Sequence, residues 1–131
     1  MNDRRNVPQK NRTYIQSFKY AFKGVQTVFK EERNMRTHVL LGIIVILLSL
    51  FLGLSKTEWM WMLLSIFLVL VMEIWNTVTE NIVDLVTNYQ FHPMAKKAKD
   101  MAAAAVLLTA FFSVLIGSFI LLPKLLELIL H

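Results

Sequence analysis

The sequence contains no cysteine and only four glycines among its 131 residues. Without cysteine the chain forms no disulfide, binds no metal through thiolates and has no cysteine nucleophile. So few glycines exclude a Walker loop and a dinucleotide-binding fingerprint, which both need closely spaced glycines around phosphates. Charged residues are also scarce, at 18% of the chain against about 25% in a typical soluble domain. A familiar soluble nucleotide-binding fold is therefore not expected.

Apolar residues are abundant, at 56% of the chain, and they are gathered in long blocks. Because about 20 such residues cross a bilayer as a helix, we predict an all-α integral membrane protein with one domain over residues 1–131. Three blocks are predicted to be transmembrane helices: residues 38–54, 59–86 and 101–122. A polar turn at 55–58 and a polar, basic loop at 87–100 separate them, and Pro123 is predicted to end the third helix.

An amphipathic segment precedes the first block. In residues 13–35, apolar side chains recur at steps of three and four, with lysines mostly between them. This pattern predicts an amphipathic helix that lies in the bilayer interface. A helix packed on the bundle would show the same stripe, so that alternative stays open. Residues 1–12 are polar and contain Pro8, and we predict a mobile cytosolic tail.

Basic residues are unevenly distributed along the chain. The formal net charge is +5, and most of the lysines and arginines lie before residue 37. Beside membrane spans, a basic arm is better explained by an anionic membrane face than by nucleic acid. Lys96, Lys97 and Lys99 add a second basic cluster between the second and third spans. By the positive-inside rule, the amino terminus and the 87–100 loop are predicted to be cytosolic.

Polar residues interrupt the second apolar block between positions 73 and 84. A helix turns about 100° per residue, and a single face of it therefore carries four of them: Glu73, Asn76, Glu80 and Asp84. Because a charge in the bilayer costs about 2.5–3.5 kcal/mol by insertion scales, carboxylates on this stripe indicate a functional site. The structural alternative is a stripe that joins helices by hydrogen bonds, but Asn, Ser or Thr would serve that purpose without carboxylates.

More charged residues are predicted at the same cytosolic end. They are Glu31, Glu32, Arg33 and Arg36 before the first span, and Lys99 and Asp100 before the third. Carboxylates and cations at one interface suit a divalent cation such as Mg²⁺ together with phosphate groups. Two alternatives stay open: Glu31 and Glu32 are merely solvated, and Lys99 is only a positive-inside charge.

One long motif resembles a known family. It reads Glu73-x-x-Asn76-Thr77-x-x-Glu80-x-x-x-Asp84, followed by AKDMAAAAV at 98–106. This resembles the small prokaryotic diacylglycerol kinase family, which includes the undecaprenol kinases of Gram-positive bacteria, over nearly the whole chain. The resemblance implies a homotrimer of three-span subunits in the bacterial plasma membrane, with active sites between subunits on the cytosolic side. It also implies ATP-dependent phosphorylation of a lipid hydroxyl.

The resemblance further implies roles for individual residues. Glu73 matches the family's general base, and Asn76 is expected to orient the reacting groups. Glu32 and Glu80 match the ligands of the Mg²⁺ that accompanies ATP. Contacts with the nucleotide are implied for a larger set: Tyr20, Glu32, Glu80, Gln90, Phe91, His92, Lys99 and Asp100.

Three places depart from the family pattern. Thr13 stands where the diacylglycerol-specific branch has arginine, although Arg12 is adjacent. His38 replaces an acidic residue, and we interpret it as an interfacial residue and not as a metal ligand. The loop at 85–92 is slightly longer than in that branch, which weakens the assignment of contacts within it.

The resemblance leaves the lipid open. The lysine-rich arm, Pro93, Trp75 and the lack of cysteine favour the Gram-positive branch, and hence undecaprenol over diacylglycerol. Two non-enzymatic interpretations also remain, a small proton-coupled transporter subunit and a purely structural membrane protein. A transporter would not need Glu80 in addition to Glu73, nor a Lys–Asp pair at the start of the next helix.

Overall fold

The computed structural model describes residues 14–130, which form four α-helices and no β-strand. The helices are α1 (Tyr14–Glu31), α2 (Arg33–Phe51), α3 (Lys56–Thr87) and α4 (Pro93–Leu130). The tail predicted for residues 1–12 lies outside the described residues, as do residues 13 and 131. Within the described range, the predicted all-α class is confirmed.

Three of the helices are long and apolar enough to cross a membrane, namely α2, α3 and α4. The 19 residues of α2 are close to the about 20 that a span requires, whereas α3 and α4 contain 32 and 38 residues. α3 and α4 are therefore long enough to project beyond the apolar layer. Polar residues at their ends can then meet water and soluble ligands.

The apolar stripe of α1 is not covered by the rest of the subunit. Phe18 and Phe22 are 77% and 72% exposed, and Val28 is the buried residue of this helix. An uncovered apolar stripe fits a helix that lies in the bilayer interface with this face toward the acyl chains. Packing on the same subunit, the alternative that the periodicity left open, does not account for the stripe.

A break at Glu32 separates α1 from α2. The backbone of Glu32 is extended, with φ −94° and ψ 120°, so the helical path changes direction there. The Nη1 of Arg36 donates hydrogen bonds to the carbonyl oxygens of Phe29 and Lys30, at 3.3 and 2.7 Å. These carbonyls at the end of α1 lack partners within their own helix, and Arg36 supplies one. The helix predicted over 13–35 is therefore divided at Glu32, and α2 begins before the predicted position 38.

The turn between α2 and α3 is closed by a capping box. Ser55 Oγ accepts a hydrogen bond from the Glu58 amide at 3.4 Å, and the Ser55 amide donates to Glu58 Oε2 at 2.7 Å. These two bonds satisfy amides that the first turn of a helix leaves unpaired. Gly53 has φ 64°, a left-handed conformation that favours glycine. Because Lys56 is already helical, the turn ends earlier than the predicted 55–58.

The predictions for the two prolines flanking the third span are wrong. Pro93 is the first residue of α4, so the second half of the predicted 87–100 loop is helical. Proline is well tolerated there because the first helical amide has no intrahelical acceptor. Pro123 lies inside α4, which continues to Leu130. It removes one backbone hydrogen bond, whereas ending the helix in an apolar medium would leave several groups unpaired.

The helices pack around α3. α4 runs beside α3 over much of its length, and α2 contacts α3 over a shorter stretch. Ser113 of α4 donates a hydrogen bond to Ser65 Oγ of α3 at 3.3 Å. Gly42 of α2 lies so close to Ile66 that an added Cβ would be 3.2 Å from its Cγ2. This packing turns the polar face of α3 inward.

Candidate active site

The polar stripe of α3 is buried at Glu73 and Asn76 and half-buried at Glu80 and Asp84. Glu73 is 1% exposed, and Asn76 and Thr77 are also buried. Thr77 Oγ1 donates a hydrogen bond to the Glu73 carbonyl oxygen at 3.0 Å, so its hydroxyl is satisfied within the helix. The shared face predicted from the helical period is therefore present, and it faces the other helices.

The Glu73 carboxylate has no hydrogen-bond partner among residues 14–130, although both its oxygens are buried. Its nearest basic atom is His38 Nε2 of α2, at 3.9 Å from Oε2. A buried polar group without a partner is strongly unfavourable, and native structures rarely retain one without a reason. An unpaired carboxylate of this kind is available to take a proton from, or bind to, an incoming group.

Asn76 and Glu80 form a fixed pair one turn further along α3. The Asn76 Nδ2 donates a hydrogen bond to Glu80 Oε1 at 3.1 Å. Asn76 Oδ1 is buried and has no partner in the described part of the chain. The pair therefore orients one oxygen of Glu80 and leaves an amide oxygen free to accept a hydrogen bond.

Glu32 brings a third carboxylate from the break between α1 and α2. It occupies the N-cap position of α2, but its side chain makes no capping hydrogen bond. Glu73 interacts electrostatically with both Glu32 and Glu80. Residues 14–130 contain no cluster of three or more His, Asp or Glu arranged to hold a metal ion. Mg²⁺ usually needs only one or two carboxylates when phosphates complete its coordination, which fits Glu32 and Glu80.

Two ion pairs hold the basic residues at the start of α4. Lys99 Nζ lies 2.6 Å from Asp84 Oδ1 of α3, and Lys96 pairs with Asp100 one turn later in α4. The helical period puts Asp84 on the polar stripe but gives it no role. The structure shows that Asp84 holds Lys99 beside the end of α3. The sequence spacing carries no signal for this contact, because it joins two different helices.

The loop residues Gln90, Phe91 and His92 are exposed and line a hollow of about 530 Å³ with the end of α3. The His92 Nδ1 accepts a hydrogen bond from the Met94 amide at 3.2 Å. One nitrogen of His92 therefore caps α4, and Nε2 remains for another group. Residues Asn88 and Tyr89 have positive φ values of 51° and 59°, which turn the chain between the two helices.

Tyr20, a predicted site residue, is not brought to the carboxylates by the described part of the chain. It lies in α1, is largely exposed, and has no hydrogen bond to them among the described residues. His38 has a neighbour that the sequence did not indicate. We interpreted it as interfacial, yet α2 brings it to Glu73. The one signal in the sequence was that His38 replaces an acidic residue of the family pattern.

Comparison with known proteins identifies the family. A family model described as prokaryotic diacylglycerol kinase matches residues 19–121. The chain belongs to the prokaryotic diacylglycerol kinase family. A diacylglycerol kinase of Synechocystis sp. is 40% identical over 125 residues, 95% of this chain and 71% of that protein. An undecaprenol kinase of Bacillus subtilis is 40% identical over 112 residues, which cover 86% of this chain and 90% of that protein.

A diacylglycerol kinase of Helicobacter pylori is 39% identical over 113 residues, which cover 84% of this chain and 88% of that protein. The family and its named members indicate that this bacterial membrane protein is a lipid kinase. The transporter and structural interpretations are therefore set aside. A kinase of this family requires a nucleotide and a lipid. Lys99 lies beside Asp84, about three turns along α3 from Glu73.

We predict that Asp84→Asn raises the KM for the nucleotide about two- to fivefold, with a smaller effect on kcat. The variant removes the charge that holds Lys99 beside α3, and partly exposed ion pairs contribute roughly 0.2–1 kcal/mol. Initial rates at varied nucleotide concentration measure this change. Asn81→Ala, at an exposed position one turn earlier in α3, is the control. An unchanged KM and kcat for Asp84→Asn would contradict a role for this pair.

Proposed function

We propose that the protein transfers the γ-phosphoryl group of ATP to the hydroxyl of a membrane lipid alcohol, with undecaprenol as the substrate. The observation that carries the proposal is the buried, unpaired carboxylate of Glu73 in a membrane-spanning helix. A lipid hydroxyl arrives from the bilayer and needs a base at that depth. Diacylglycerol is the second candidate, because diacylglycerol kinases are as similar to this chain as the undecaprenol kinase is.

Glu73 is the proposed general base. Its carboxylate takes the proton of the lipid hydroxyl while the hydroxyl oxygen forms the new bond to the γ-phosphorus and ADP leaves. Proton transfer to a positioned carboxylate needs a base within hydrogen-bond reach of the hydroxyl. Neither oxygen of Glu73 has a hydrogen bond from residues 14–130, which supports this role. Phosphoryl transfer otherwise depends mainly on positioning and on neutralising charge.

The groups around Glu73 are proposed to bind MgATP. Glu32 and Glu80 would hold the Mg²⁺, which when bound neutralises charge on the ATP phosphates. Asn76 orients Glu80 through its hydrogen bond, and Lys99 lies ready for a phosphate oxygen. The remaining nucleotide contacts are proposed for Tyr20, Gln90, Phe91, His92 and Asp100.

The site is proposed to face the cytosol, where ATP is found. Lys96, Lys97 and Lys99 lie at the start of α4, at the same end of the bundle as Asp84. The positive-inside rule places such clusters in the cytosol. This orientation would put the amino-terminal arm on the same side.

An apolar groove supports a lipid substrate. It has a volume of about 440 Å³, lies between α2 and α4 over α3, and has His38 among its lining residues. Because His38 also neighbours Glu73, the groove approaches the proposed base from within the bilayer. Any long hydrocarbon or isoprenoid chain would suit its lining. The preference for undecaprenol therefore rests on the sequence features shared with the Gram-positive branch.

A homotrimer is proposed because much of the apolar surface is uncovered in one subunit. In the most apolar 18-residue stretch of α2, only 17% of the residues are buried, and the values are 33% for α3 and 11% for α4. One exposed set on α3 falls at steps of three and four: Val71, Trp75, Val78 and Ile82. In a bilayer a stripe of this kind faces either lipid or another helix, and the proposal assigns it to a second copy. The number three comes from the family resemblance.

We predict that native mass spectrometry of the protein released from lipid nanodiscs gives three times the subunit mass of 15.2 kDa. The uncovered stripe on α3 would then be buried between subunits. A monomer or dimer that retains full activity would contradict the trimer and would place a complete site in fewer subunits.

We predict that the protein labels undecaprenol with phosphate from ATP and Mg²⁺ in detergent–lipid micelles. Glu73→Gln is expected to lower kcat by about 10²–10⁴-fold, because that is the usual contribution of a general base. Undecaprenol and diacylglycerol are offered side by side, and the labelled lipids are separated by chromatography. Glu127→Gln, which makes the same change at an exposed position in α4, is the control.

Preferred labelling of diacylglycerol would keep the mechanism and replace the substrate. Failure to label either lipid would overturn the proposed function. Full activity of Glu73→Gln, with labelling intact, would overturn the assignment of the base.

We predict that Glu32→Gln raises the Mg²⁺ concentration for half-maximal activity by about tenfold or more, since weakened metal coordination commonly costs this much. Glu31→Gln provides a matched control, because Glu31 is the exposed neighbour of Glu32. Rates at saturating ATP are measured over a range of Mg²⁺ concentrations. Equal Mg²⁺ dependence of the two variants would rule out Glu32 as a metal ligand.

A further inference from the structure

His38 is the one basic side chain that approaches the Glu73 carboxylate within residues 14–130. Its Nε2 lies 3.9 Å from Glu73 Oε2, and the two residues come from different helices, α2 and α3. This separation exceeds the upper end of the hydrogen-bond range, about 3.2 Å, so the two atoms are not hydrogen-bonded in this arrangement. Catalytic hydrogen bonds are often long without substrate and shorten in the complex. A small rotation of either side chain would bring the two atoms into hydrogen-bond range.

We propose that His38 is a positioning residue for Glu73, a role that rests on the proposed function. The His38 Nε2–H donates a hydrogen bond to Glu73 Oε2 in the working enzyme. Glu73 Oε1 then remains free to accept the proton of the lipid hydroxyl. His38 does not act on the reacting atoms in this role, and its effect on the reaction passes through the carboxylate that it holds.

The other polar side chains around Glu73 cannot hold it in this way. Glu32 and Glu80 are the carboxylates that interact electrostatically with it, and ionised carboxylates only accept hydrogen bonds. The Asn76 amide donates to Glu80, and the Thr77 hydroxyl donates to a backbone carbonyl. Lys99 is paired with Asp84. His38 is therefore the donor that remains for the Glu73 carboxylate.

The position of His38 beside the groove also lets the hydrogen bond set the direction of the free Glu73 oxygen. Its side chain is 21% exposed, and it lines the apolar groove between α2 and α4. Glutamate has three rotatable side-chain bonds, so an unheld carboxylate samples several orientations. A hydrogen bond from the α2 side would fix the free oxygen in one direction relative to a hydroxyl entering by the groove. Misplacing a reacting group by about 1 Å can reduce the rate by roughly 10²-fold.

Two amide variants test this proposal. In His38→Gln the side-chain amide nitrogen lies about where the Nε2 of histidine does. The side chain in His38→Asn is one bond shorter, so its amide nitrogen cannot reach Glu73. We expect His38→Asn to lower kcat by about 10²-fold with an unchanged KM for ATP. We expect His38→Gln to restore most of the lost kcat. Thr37→Ala, which removes a hydroxyl bonded only to the Arg33 carbonyl oxygen, is the control.

Wild-type protein in the same lipid-labelling assay separates this proposal from the proposed function. Inactive wild-type protein would overturn the proposed function itself. Two results with active wild-type protein would overturn the role of His38 and leave the proposed function standing. One is full activity of His38→Asn, and the other is equal impairment of His38→Asn and His38→Gln. Thermal melting of both variants in detergent checks that each is folded. His38→Ala serves as the second variant without a donor in reach of Glu73 if His38→Asn does not fold.

Discussion

Burial of the Glu73 carboxylate in a membrane-spanning helix is the constraint on which the rest of the structure depends. A charged or unpaired carboxyl at that depth is unfavourable by several kcal/mol, and neither oxygen has a protein hydrogen bond in the described chain. The surrounding helices enclose the Glu73 carboxylate. α2 places His38 beside it, Asn76 and Thr77 of α3 are buried with it, and α4 packs along α3. The proposed chemistry uses the reactivity that this burial creates.

The ends of the helices carry the groups that a soluble nucleotide would meet. Arg36 caps α1 and so sets the break that presents Glu32. Asp84 and Lys99 join the end of α3 to the start of α4. His92 caps α4 beside the hollow formed by the loop. Each contact fixes backbone at a junction, where the chain has the greatest freedom, and this restricts where the charged side chains can lie.

Helix boundaries were harder to predict than helix identity. The hydropathy of residues 101–122 reports where lipid surrounds the chain, and this differs from where the backbone is helical. Pro93 and Pro123 were therefore both misjudged, because a helix in an apolar medium continues unless its backbone groups find other partners. The break at Glu32 was also missed. The side chain that stabilises it, Arg36, acts across the break and leaves no local signature.

The sequence by itself determined the membrane class, the three spans, the amphipathic first helix and the shared face of Glu73, Asn76 and Glu80. These features follow from local composition and from the period of the helix, which any stretch of chain carries with it. The tertiary structure alone decided that His38 approaches Glu73, that Asp84 holds Lys99, and that both oxygens of Glu73 remain free. These features depend on how helices distant in sequence are rotated and spaced against one another. The helical period relates residues within one helix only, so it does not predict contacts between two helices.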